Sequence, residues 1–97
     1  MKIYQSRIFE NKVKKLLKQE KEILDDAIKK IAEDPLIGEE KKGDLRGVYV
    51  YKFKIKSLQY LLSYRKIKSD LELIMIGPRE NYYRDLKGYL KRRQPIG

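Results

Sequence analysis

The stretch Gly47–Arg65, GVYVYKFKIKSLQYLLSYR, decides the fold. Its odd positions from Tyr49 are Tyr49, Tyr51, Phe53 and Ile55, and its even positions after Val48 and Val50 are Lys52, Lys54 and Lys56. A β-strand sends successive side chains to opposite faces, so this segment presents a row of lysines on one side and an aromatic and aliphatic surface on the other. Ser57-Leu58-Gln59 is expected to turn the chain. Tyr60–Arg65 then reads as a second strand, with Tyr60, Leu62 and Tyr64 on one face and Leu61, Ser63 and Arg65 on the other. The product is a hairpin with an apolar back and a cationic front.

Working outward, Lys68-Ser69-Asp70 reads as the next turn and Leu71–Gly77, LELIMIG, as a third strand. Leu73–Ile76 is continuously apolar, which suits a central strand covered on both faces or one whose second face meets a partner. Pro78-Arg79-Glu80-Asn81 breaks the strand, and Asn81 is an acceptable helix cap. Tyr82, Tyr83, Leu86, Tyr89 and Leu90 follow at helical spacing, and Lys91-Arg92-Arg93 closes that helix with charge that suits its dipole. Upstream, Asn11–Ile31 carries two helical apolar stripes, Val13-Leu16-Leu17 and Ile23 to Ile31, separated by the polar run Lys18–Glu22. Two antiparallel helices are expected in preference to one long one. Asp34-Pro35 ends the second, because the residue before a proline disfavours helical geometry. Lys2–Arg7 reads as an edge strand. The expected order is β-α-α-β-β-β-α: an α+β fold in which a small twisted antiparallel sheet carries two N-terminal helices on one side, with a C-terminal helix, and leaves its cationic front open.

The 97 residues make one domain, residues 1–97, large enough for a modest core without staples. The absence of cysteine excludes disulfides and thiolate chemistry and fits a cytoplasmic setting. No apolar run approaches the ~20 residues of a membrane span, and MKIYQSRIFENK lacks the apolar stretch of a signal peptide. Lys and Arg total 24 against 14 Asp and Glu, a net charge of +10 that points to an anionic partner such as nucleic acid or an acidic protein. The competing reading is a densely charged, solvated surface.

With no histidine, acid–base chemistry has to use Lys, Arg, Tyr, Asp or Glu. If the three strands are neighbours, Lys52, Lys54, Arg65, Arg79 and one of Tyr82 and Tyr83 converge. Cations for phosphate and a ring for an unstacked base suit single-stranded RNA. Crowded cations disfavour one another's protonation, which equips a lysine to act as general base on a ribose 2′-hydroxyl. Such cleavage needs no metal or cofactor. The adjacent acidic pairs Asp25-Asp26 and Glu39-Glu40 read as solvated surface.

Leu45-Arg46-Gly47, Tyr51-Lys52-Phe53-Lys54, Tyr60-x-Leu62-x-Tyr64 and Gly77-Pro78-Arg79-Glu80-Asn81-Tyr82-Tyr83-Arg84-Asp85-Leu86, in this order, resemble the RelE/ParE superfamily of toxins from type II toxin–antitoxin systems. The resemblance implies a compact α+β fold and a cognate antitoxin partner. In the RelE branch it implies cleavage of mRNA in the ribosomal A site; in the ParE branch, poisoning of DNA gyrase. Carried over position by position, it assigns Lys52, Lys54, Arg79 and Tyr83 to catalysis, with Tyr82 as Tyr83's neighbour. Lys56, Arg65, Tyr82 and Arg46 are expected to add RNA contacts. The family's further arginine falls at Leu61, and Arg65 or Lys56 is expected to replace it. The lysine pair favours the RelE branch over the gyrase branch, and a non-catalytic relic that still binds antitoxin or RNA is the third reading.

Overall fold

In the computed structural model, which describes residues 1–93, the hairpin is the centre of the molecule. Strand β3 (Val48–Ile55) pairs antiparallel with β4 (Leu58–Ile67), and β4 pairs antiparallel with β5 (Asp70–Pro78). The turn lies at Lys56-Ser57, between the paired residues Ile55 and Leu58, one step earlier than the sequence suggests. Lys56 takes a left-handed conformation there (φ 59°), and Lys68 does the same (φ 56°) in the equivalent turn between Ile67 and Asp70. Such φ values match a two-residue turn to the twist of its strands.

Two further strands extend the sheet. β1 (Ile3–Gln5) lies parallel to the outer edge of β5, and the two-residue β2 (Glu39–Glu40) pairs with the outer edge of β3, giving the order β1-β5-β4-β3-β2. The antiparallel expectation holds for the three long strands; β1 makes the sheet mixed, because the chain crosses through two helices to the opposite edge and comes back beside β1 only with β5, in the same direction.

Helix α1 (Arg7–Lys14) begins where Ser6 Oγ accepts the Phe9 N–H at 3.0 Å. The same hydroxyl donates to the Ile74 carbonyl. That carbonyl is free because Ile74 is the extra residue of a β-bulge: Ser63 pairs with Met75 and Tyr64 with Leu73. Helix α2 (Lys18–Glu33) follows, so the break falls at residues 15–17 rather than within Lys18–Glu22. α1 and α2 cover the back of the sheet through Phe9, Leu24 and Ile31, which pack with Leu62, Tyr64, Leu71, Leu73 and Ile76. The odd-numbered aromatics line this side, with Tyr49 stacked on Tyr64 at 5.5 Å and Tyr51 on Phe53 at 6.1 Å.

Helix α3 (Tyr82–Arg93) packs on the opposite face. Tyr82 and Leu86 meet Val48, Val50, Leu61, Ile74 and Met75 there. The front is therefore not open throughout: α3 covers its middle and leaves the hairpin-turn end bare. Val48 and Val50 are the reason, since two apolar residues precede the lysines on the same face and need a cover.

The connection from α2 to β2 is pinned from the core. Fully buried Tyr64 accepts the Gly38 N–H (2.9 Å) and donates to the Pro35 carbonyl (2.8 Å). A Cβ on Gly38 would stand 2.7 Å from the Tyr64 oxygen and 3.1 Å from the Val50 carbonyl carbon. Gly38→Ala is thus expected to cost about 1–3 kcal/mol, as overpacking does. A thermal melt checks this, at about 4–8 °C per kcal/mol for a domain of this size.

Candidate nucleic-acid interface

The register arranges the front in rows. Lys54 pairs with Gln59, and the Arg79 N–H continues the ladder onto the Gln59 carbonyl at 3.2 Å, so Lys54, Gln59 and Arg79 form one row across three strands. The next row is Lys52, Leu61 and Gly77, and the third is Val50, Ser63 and Met75. Directly paired residues share a face, so Lys52 and Lys54 stand on the front, and the backbone bond to Gln59 brings Arg79, just past β5, to the end of their row, about 10 Å from Lys54 at the backbone, two interstrand spacings. All three are exposed, and among the described residues no carboxylate forms an ion pair with any of them. Leu61, fully buried, is the apolar floor between Lys52 and Gly77.

The two tyrosines part company. Tyr82 is buried, its hydroxyl donating to the Met75 carbonyl at 2.7 Å and lying 2.8 Å from Ser63 Oγ. Burial pushes its ionisation well above the usual tyrosine range. It fastens α3 to the sheet, which corrects its assignment as an RNA contact. Tyr83 is half-buried, meets Tyr82 edge-on at 5.7 Å, and has Lys41 Nζ 4.9 Å from its ring centre.

Arg65 keeps the expected face but pairs with Val48, six residues along β4 from Gln59 and so about 20 Å from the Lys54–Arg79 row. Distance corrects the idea that it replaces the missing arginine. Arg46 precedes β3 at the same far end and is likewise not brought to the row. Lys56 sits in the turn beyond Lys54, beside the cationic end.

The sequence assigns Lys41 no role, and Glu39 reads there as solvated surface. Glu39 pairs with Val50, and the Lys41 N–H bonds to the Val48 carbonyl (2.9 Å), so both face the front at its β2 edge. Their side chains form an ion pair at 2.8 Å. The hydrogen bond to Glu39 holds Lys41 above the usual lysine range, and the same bond, with the charges of Lys41 and Lys52, holds the Glu39 carboxyl below its usual value. A two-residue strand is too short to show a period, which is why Pro35–Gly47 reads only as a polar connection.

A mixed five-stranded sheet between a helical pair and a single C-terminal helix matches solved toxin structures. These include RelE in the intact E. coli RelBE toxin–antitoxin complex (23% identity over 81% of this chain and 96% of that one, TM-score 0.66) and isolated E. coli RelE (24%, 92% and 98%, TM-score 0.63). A third is an arginine-to-alanine double mutant of E. coli RelE in the free state (20%, 97% and 97%, TM-score 0.71). At these identities the likeness establishes the RelE-like fold. No curated protein sequence matches the chain. A family model does, over residues 3–87: the chain belongs to the ParE-like toxins of type II bacterial toxin–antitoxin systems.

Proposed function

We propose that this toxin is a ribosome-dependent endoribonuclease that cuts mRNA in the A site and is neutralised by a cognate antitoxin. The observation that carries the reading is the pair Lys52 and Lys54 on one uncovered stretch of one sheet face with Arg79 at the end of the same row, none of the three in an ion pair with a carboxylate among the described residues. In the proposed reaction one of the two lysines takes the proton of a ribose 2′-hydroxyl, and the other stabilises the charge that develops. The 2′-oxygen attacks the adjacent phosphorus and the bond to the 5′-oxygen breaks. Arg79 stabilises the phosphorane and assists protonation of the departing oxygen. The products are a 2′,3′-cyclic phosphate and a free 5′-hydroxyl. Tyr83 supplies a ring for the unstacked base.

Primer extension on translating ribosomes tests this. Discrete new 3′ ends carrying a cyclic phosphate are expected, and intact mRNA in the presence of folded protein overturns the proposal. Two observations favour a second reading, a toxin directed at DNA gyrase: the family match is to ParE-like toxins, and Leu61 leaves an apolar floor where the RelE pattern has an arginine. Inhibited supercoiling that is insensitive to Lys54→Ala would select it.

A further inference from the structure

Lys41 belongs to no role assigned so far, yet its ammonium is the most heavily engaged cation on the front. It pairs with Glu39 at 2.8 Å and covers the ring of Tyr83 from 4.9 Å. Glu39 and Lys52 line one shallow depression with Ile37, Val50 and Tyr51. The β2–β3 register explains this: Glu39 lies opposite Val50, and Lys52 is the next residue of β3 on that face. One carboxylate therefore sits between two ammonium groups, beside an aromatic ring, at the edge of a cationic surface. That is the arrangement an RNA phosphate takes when its base lies on a neighbouring ring.

We infer that Lys41 is a phosphate-binding residue for single-stranded RNA, and that Glu39 is the internal anion which the RNA phosphate displaces from it. This rests on the RNA reading of the site and adds the β2 edge to it. The exchange is feasible because the pair opens to solvent on the Glu39 side: the Lys41 side chain is 22% exposed but the Glu39 side chain 65%, and salt screens a carboxylate so placed. A phosphate offers the same ammonium more acceptor oxygens, and its arrival releases counterions. As Lys41 turns from Glu39 to the phosphate, it uncovers the face of Tyr83 on which a base can lie.

The test is the affinity of a 2′-O-methylated single-stranded RNA oligonucleotide, which lacks the nucleophile and cannot be cut, measured across a salt series. Lys41→Met keeps the aliphatic stem and removes the charge. It is expected to weaken binding by about fivefold near 0.1 M salt and to lower the salt slope by about 0.7, the value of one lost phosphate contact on a single strand. Lys41→Arg is expected to restore both. Glu39→Gln is expected to tighten binding by about threefold, with most of that gain absent in the Lys41→Met background. Circular dichroism melts confirm that each variant is folded. An unchanged slope in Lys41→Met, a Glu39→Gln protein that binds no more tightly, or a wild type that binds no RNA overturns the inference. Cleavage does not enter the measurement. Binding that depends on both residues, without scission on ribosomes, overturns the nuclease reading and leaves this inference standing. Scission together with binding indifferent to both residues overturns the inference alone.

Discussion

Arg79→Ala is expected to lower cleavage of ribosome-bound mRNA by a factor of about 10²–10³, the usual loss when one preorganised donor to a developing oxyanion is removed. The fold should survive. Arg79 is exposed beyond the last strand, and its structural contact, the N–H bond to the Gln59 carbonyl, belongs to the backbone and is retained in alanine. Arg79→Lys should recover only part of the loss, because an ammonium keeps the charge but lacks the planar fork that meets two phosphate oxygens together. The measurement is single-turnover cleavage on stalled ribosomes, with a thermal melt as control. Undiminished cleavage by a folded Arg79→Ala protein would remove Arg79 from the mechanism.

The second large effect separates two adjacent tyrosines. Tyr82→Ala is expected to cost about 3–5 kcal/mol, as truncation of a buried aromatic does, and to lower the melting temperature by about 15–30 °C. The ring is buried against Gly77, Val48, Val50 and Leu61, and its hydroxyl meets Met75 and Ser63. Tyr82→Phe should cost only about 1 kcal/mol, the hydroxyl's share. Tyr83→Ala should do the reverse: a melting temperature within a few degrees of wild type and a clear loss of cleavage, since its ring is partly exposed beside Lys41. A Tyr83 variant that unfolds, or a Tyr82 variant that is stable but inactive, would exchange the two assignments. Side by side in the sequence, the pair carries no mark of which tyrosine does which; helical spacing admits both to the apolar stripe.

Much of the fold was legible because period and face are local properties. The alternation over Val48–Ile55 and the helical stripes named the elements, and the continuous run Leu73–Ile76 marked β5 as a strand covered on both faces. The bulge at Ile74, which turns two successive residues toward α3, accounts for that run and was not itself visible in it. The first turn slipped by a residue because Lys56 adopts left-handed backbone without the glycine or asparagine that usually announces it, whereas the second falls at Lys68-Ser69, within the stretch expected. The site was legible in part. Parity was enough to put Lys52 and Lys54 on one face, and a backbone bond to Gln59 brings Arg79 to the end of their row. Distance along a face is another matter: parity places Arg65 on the right side and says nothing of the row in which it stands.

The sequence by itself determined which side chains share a side of the sheet, because a strand's two-residue repeat is fixed by its own backbone and needs no partner. Only the tertiary structure decided which part of that side stays uncovered. Helix α3 settles over Val48, Val50, Leu61 and Met75, since burying apolar surface there stabilises the fold, and it stops short of Lys52 and Lys54, whose ammonium groups would lose their hydration beneath it. The tertiary structure also brought Glu39 and Lys41 to the same edge, through a strand too short to leave any period in the sequence.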